Sequence, residues 1–294
     1  MAAIGQITPE TGERAALARA AERALLVPDL LVEARRVANT VIAGWHGRRK
    51  RGPGETFWQF RPWSEGESES RIDWRRSARD DQVYLRDREW EAAHTVWVWA
   101  DPSPSMRFRS TGGMVPKEGR ALVLALSLAE VLARSGERVG YAGLTRPLAA
   151  RNAAERMALA LSRERPELDV REVRGPAEIV IVSDFLAPMA DTLAVVDALA
   201  PRGVRGHLVE VCDPAEELFP YSGRVEFRDP ETGEKLVTGR AGDLGEDYRA
   251  AFLARRTELR RAALRAGWTH AVHRTDRPAS EALVGLHMRL SGVA

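Results

Sequence analysis

Asp101-Pro102-Ser103-Pro104-Ser105 places a carboxylate and two hydroxyls at alternate positions, directly after the apolar run Val96-Trp97-Val98-Trp99-Ala100. Oxygen donors of this kind suit a hard divalent cation, Mg²⁺, Mn²⁺ or Ca²⁺, better than a soft one. A second apolar run, Ile179-Val180-Ile181-Val182, ends in the same chemistry with Ser183 and Asp184. If the two runs are neighbouring strands, Asp101 and Asp184 converge, and two like charges at one point call for a cation to neutralise them. The plain alternative is that each aspartate caps the helix after its strand, a role that metal binding does not exclude.

Other chemistries are poorly supplied. An aspartyl nucleophile of the phosphatase type wants a second acid two residues on, where this chain has Ser103, and Trp97-Val98-Trp99-Ala100 offers no paired acids for a receiver-type site. Gly112-Gly113 lacks the spacing and following lysine of a phosphate loop. Neither Ser103 nor Ser105 has a sequence-adjacent base to mark it as a nucleophile. His270 and His273 read as strand surface or core rather than as a metal pair. Cys212 is the only cysteine, which excludes an intramolecular disulfide and a cysteine-based zinc site, and it reads as a small buried hydrophobe. An uncharacterised metal-dependent hydrolase is kept as an alternative to a non-enzymatic role.

The elements that must position Asp101 and Asp184 are those of an α/β fold. Short apolar runs bounded by turn residues are strands covered on both faces, as in a mostly parallel sheet with helices on each side, where ligands sit outside the carboxyl ends of the strands. Helices are expected over Lys117–Arg134, with Leu122, Ala125, Leu128, Ala129 and Leu132 on one face and Gly136 as the stop, over Asn152–Arg163, Asp191–Leu199 and Asp243–Arg265, and from Ser280. Strands are expected over Arg138–Leu144, Val204–Val211 and Thr269–His273, with residues 213–240 as a polar hairpin insertion.

The 294 residues suggest about two domains at roughly 150 residues each. The divisions expected are an N-terminal helical segment over 1–43, an aromatic-rich region over 44–92, and the α/β domain over 93–294. Residues 13–42 are Ala-rich and helical in pattern, with a break expected at Pro28. The region 44–92 carries Trp45, Phe57, Trp58, Phe60, Trp63, Trp74, Tyr84 and Trp90, a density that implies a packed unit. Its Arg48-Arg49-Lys50-Arg51 run and interleaved aromatics raise nucleic-acid binding as a rival, but its 11 basic and 10 acidic residues nearly cancel. The whole-chain net charge of +2 likewise gives no mandate for nucleic acid or an anionic membrane. No apolar run reaches the roughly 18–20 residues of a membrane span, and Met1-Ala2-Ala3-Ile4 does not open a signal peptide, so the cytoplasm is the expected compartment.

These residues carry a family resemblance. Asp101-Pro102-Ser103-Pro104-Ser105 resembles the Asp-x-Ser-x-Ser motif of the metal-ion-dependent adhesion site in von Willebrand factor type A domains. Gly52-Pro53-Gly54-Glu55-Thr56-Phe57, Arg61-Pro62-Trp63-Ser64-Glu65-Gly66-Glu67 and Arg71-Ile72-Asp73-Trp74-Arg75-Arg76-Ser77-Ala78-Arg79 resemble the signature of the bacterial "domain of unknown function 58" family. The resemblance implies a von Willebrand A-like, Rossmann-like sheet and a divalent cation, Mg²⁺ or else Mn²⁺ or Ca²⁺. Asp101, Ser103 and Ser105 would be its first-loop ligands and Asp184 the later strand-end aspartate. It implies a protein partner of the MoxR-type AAA+ ATPase class, and it puts Arg61, Trp63, Arg71, Asp73, Trp74 and Arg79 at the centre of the signature. The adhesion-site pattern also wants a threonine from an intermediate loop. Thr145, the only threonine between Thr111 and Thr192, is the one candidate and falls earlier than the pattern wants.

Overall fold

Residues 13–46, 58–64, 72–79, 82–88, 94–112 and 115–290 are described by a computed structural model. The chain forms two compact units, residues 44–93 and residues 1–43 with 94–294.

The larger unit is built on a six-stranded sheet. Its strands are β3 (Thr95–Ala100), β4 (Arg138–Tyr141), β5 (Thr145–Leu148), β6 (Glu178–Ser183), β7 (Arg205–Cys212) and β10 (Thr269–Arg274), in the spatial order β10-β7-β6-β3-β4-β5. All neighbours are parallel except β4 and β5. Every residue of β6 is buried, as a strand covered on both faces requires.

Helices α3 (Lys117–Arg134), α4 (Ala153–Leu161) and α8 (Ala279–Leu290) pack together on one side of this sheet. Helices α5 (Met189–Leu199) and α7 (Gly245–Arg265) contribute Val196, Leu199, Leu259 and Ala263 to the core on the other, with Trp97, Ile179, Ile181, Leu208 and Trp268. The Gly206 position lies against the Trp268 ring, so closely that a Cβ there would come within 2.0 Å of ring atoms.

Two expectations need correction. Helix α1 (Glu13–His46) runs straight through Pro28. Proline removes one ladder bond, but Val27, Ala34, Ala38 and Val41 form a buried stripe and Ser127 of α3 donates to Ala34 O at 3.1 Å, so packing outweighs the local cost. Helix α3 is not amphipathic in place: residues 120–133 are all buried, with α4 and α8 packed on it and α1 bonded to its Ser127.

The 213–240 insertion begins with the short helix α6 (Pro214–Leu218) and continues as the antiparallel hairpin β8 (Val225–Arg228) and β9 (Lys235–Thr238), which pair only with each other. Phe219, Tyr221, Phe227 and Tyr248 form a ring cluster at its base, with centroids 4.6–5.7 Å apart.

The smaller unit contains strands β1 (Trp58–Pro62) and β2 (Tyr84–Arg88), paired antiparallel, and the single-turn helix α2 (Trp74–Ser77). Among the described residues no helix is long and apolar enough to cross a membrane.

Candidate functional site

Chain connections leave β3 toward β4 on one side, while β6, β7 and β10 extend the sheet on the other. The order therefore reverses between β3 and β6, and in open parallel sheets that switch point opens a crevice at the carboxyl ends of the strands. Asp101 follows β3 and Ser183 ends β6, so both stand at this crevice. Asp101 N–H continues the ladder to Val182 O at 2.8 Å. On the β4 side the strand has already ended, and the Tyr141 hydroxyl takes over the pairing of Ala100, accepting from its N–H at 2.9 Å and donating to its carbonyl at 3.1 Å.

The Asp101 carboxylate orders the loop. Its Oδ1 accepts Ser103 N–H at 2.8 Å and its Oδ2 accepts the Ser183 hydroxyl at 2.6 Å. Ser103 Oγ and Ser105 Oγ lie 3.1 Å apart. That separation is the length of a hydrogen bond between the two hydroxyls. Carboxylate and hydroxyl oxygens are the right donors in kind for a hard divalent cation, although among the described residues no three His, Cys, Asp or Glu side chains are grouped to hold a metal ion. Neither aspartate caps a helix: Asp101 binds the N–H two residues on, as does Asp184, whose Oδ1 accepts Leu186 N–H at 3.0 Å.

Asp184 is engaged from within the chain. The buried Lys117 ammonium, from the first turn of α3, donates to Asp184 Oδ2 at 2.7 Å and to Glu216. Glu216 is held there by a capping box on α6: Asp213 N–H donates to Glu216 Oε2 at 2.8 Å while Asp213 Oδ1 accepts Ala215 N–H at 2.9 Å. Burial alone would push the Lys117 ammonium down, but Glu216 and Asp184 together outweigh it and hold it above its ordinary value. Lys117 is thus one ammonium shared between two carboxylates, Asp184 and Glu216. Thr145 stands apart at the start of β5, where its hydroxyl accepts Tyr141 N–H at 3.0 Å and closes the β4–β5 turn.

Another carboxylate does reach the loop. Glu231, at the tip of the β8–β9 hairpin, accepts Ser105 N–H at 2.9 Å. Sequence reasoning missed Lys117, Glu216 and Glu231. The available signals were that Lys117 is one of three lysines in an arginine-rich chain, and that Asp213-Pro214-Ala215-Glu216 has the spacing of a capping box.

In the smaller unit Asp73 is the N-cap of α2, accepting Arg76 N–H at 2.9 Å, and its own N–H donates to Tyr84 O at 2.9 Å. Trp74 and Arg79 are exposed, while Trp63 is half-buried and its N–H donates to Val83 O at 2.8 Å. Arg61 lies on β1 opposite Leu85, and its side chain and the whole of Arg71 lie outside the described residues, as does the Arg48-Arg49-Lys50-Arg51 run. The histidines on β10 are core: His270 Nε2 lies 3.0 Å from Glu210, and His273 is buried. Cys212 is buried and free, as expected.

Two solved structures are similar in outline. The conserved hypothetical protein BatB from Bacteroides thetaiotaomicron is 14% identical with a TM-score of 0.42, and an aerotolerance-related membrane protein from Bacteroides fragilis is 15% identical with a TM-score of 0.44. Each match covers 68% of this chain and 100% of the other. Uncharacterized proteins of Mycobacterium bovis and Mycobacterium tuberculosis are 28% identical over 267 residues, covering 81% of this chain and 80% of theirs. The family described as "Protein of unknown function DUF58" matches residues 59–260, from β1 into α7. A match over that much of the sequence settles the kinship, and the chain belongs to the DUF58 family.

Proposed function

We propose that this protein is a non-enzymatic, von Willebrand A-like docking module of the cytoplasm, which engages a protein partner through a divalent cation held by Asp101, Ser103 and Ser105. The observation that carries this reading is the Ser103 and Ser105 hydroxyl pair, 3.1 Å apart beside the Asp101 carboxylate at the switch point of the sheet. Those two hydroxyls bond to one another rather than to a base that would activate one of them, which favours binding over nucleophilic catalysis. Asp184, which shares the Lys117 ammonium with Glu216, is the later strand-end carboxylate of this reading. A hard cation held by part of its shell keeps positions open to a carboxylate from another protein. A MoxR-type AAA+ ATPase is the partner class we propose.

Equilibrium binding of Mg²⁺ and Mn²⁺ by calorimetry, with thermal unfolding, tests the reading. The expected result is one site per chain in the wild type and none in Asp101→Ala. At one hundred times its dissociation constant the ion should stabilise the native state by about 2.7 kcal/mol. Equal binding by both proteins, or by neither, overturns the reading.

A further inference from the structure

The β8–β9 turn is built to hold Glu231 in place. Asp229 Oδ1 accepts the N–H of Glu231 at 2.7 Å and that of Thr232 at 3.4 Å, and these donors hold the Asp229 carboxyl below its usual range. Asp229 N–H donates to Glu234 O at 2.8 Å, and Gly233, at φ +78°, returns its N–H to Asp229 O at 2.9 Å. Pro230 fixes one more backbone angle. From this support the Glu231 side chain, on an exposed residue, reaches a buried backbone N–H at Ser105, 126 residues away in sequence. Among the described residues the two strands of the hairpin pair with each other and not with a strand of the central sheet. Their tip nonetheless delivers a carboxylate to the one loop that carries Asp101, Ser103 and Ser105.

We propose that Glu231 is an internal occupant of the candidate site, an acidic side chain supplied in cis where an acidic segment of a docking protein would otherwise bind. The inference rests on the docking reading above. A group that the loop accepts from its own chain defines the chemistry it accepts from another, namely a carboxylate. Tethering gives Glu231 an effective concentration on the order of millimolar, so an incoming Asp or Glu side chain competes with it and binds more weakly than it would to an open site. Displacement of the hairpin tip then accompanies docking. With a cation present, the same carboxylate adds a negatively charged oxygen to the first-loop ligands.

The test uses the full chain, Glu231→Gln and Asp101→Ala. Glutamine keeps the size of the side chain and leaves the turn bonds of residue 231 intact, since these come from its backbone. In the metal-free protein the Ser105 amide resonance should move in Glu231→Gln, because a neutral amide oxygen is a weaker acceptor than a carboxylate. Mn²⁺ should bind about tenfold more weakly to Glu231→Gln, and water-proton relaxation should report more water on the bound ion. Asp101→Ala should not bind Mn²⁺. Failure of either readout in Glu231→Gln, while Asp101→Ala loses the ion, overturns the inference and leaves the docking reading standing. A wild-type chain that binds no Mn²⁺ overturns the docking reading and the inference with it.

Discussion

Lys117 is fully buried between two carboxylates in a chain that otherwise uses arginine almost throughout. A compact ammonium fits between Asp184 and Glu216, where a planar guanidinium would need a wider fork. Lys117→Met would leave both acids buried and unanswered, and it should cost about 3–5 kcal/mol in denaturant unfolding; a change below about 0.5 kcal/mol would show that the triad does not hold the fold. His273 gives a pH-dependent counterpart. Burial first, and the Arg120 charge second, push its imidazole from 6.5 down to about 4. The unfolded chain takes up this proton as pH falls through 6.5 and the native chain only near 4. The contribution is therefore complete above 6.5 and is lost between 6.5 and 4, by about 3 kcal/mol. His273→Phe should flatten urea-derived stability over that window, and an unchanged slope would remove His273 as its source. Cys212, its thiol pushed up to about 12 by burial, should react with iodoacetamide only after unfolding. Asp101, Ser103, Ser105 and Asp184 could be picked out from sequence because each follows the end of an apolar run. The contacts of Lys117 and Glu231 could not, because they join residues 67, 99 and 126 positions apart, and no periodicity encodes such pairs.

Elements with a strong local signal were readable to within a few residues. The β3 and β6 runs are apolar on both faces, and α3 spans Lys117–Arg134 as its pattern predicts, with Gly136 at φ +84° ending it. Where packing decides, the pattern misled. The unbroken passage of α1 through Pro28 depends on a stripe buried in part against α3, and β5 was missed because Thr145-Arg146-Pro147-Leu148 is a four-residue edge strand with no apolar run. Gly206 on β7 is the sharpest test of how β7 fits the turn between α7 and β10. Its missing side chain makes room for Trp268, which also donates Nε1–H to Val204 O at 3.1 Å. Gly206→Ala should destabilise by about 3 kcal/mol, since a ring of that size has nowhere to retreat in a packed core. Tryptophan emission should shift with the loss. A variant as stable as the wild type would mean that the ring can turn aside.

A net charge of +2 across the whole molecule leaves little to attract a polyanion. Duplex DNA should therefore bind no more tightly than about 10⁻⁴ M at physiological salt, as fluorescence anisotropy would measure, and submicromolar binding with a steep salt dependence would restore the nucleic-acid reading. The mostly parallel sheet was foreseeable at this scale, whereas its strand order and the bond from a hairpin far along the chain to the Asp101 loop were not. The strand order carries one more consequence, for synthesis on the ribosome. The middle of the sheet is translated first: β3 emerges, then β4 and β5 complete one flank, and only afterwards do β6, β7 and β10 extend the other. Until residue 178 has emerged, β3 has a bare flank along Val96-Trp97-Val98-Trp99-Ala100, an apolar edge of the sort that recruits stray strands. The nascent chain thus carries an apolar, unpaired strand edge through nearly eighty residues of elongation, and the same strand later presents Asp101 at the finished crevice.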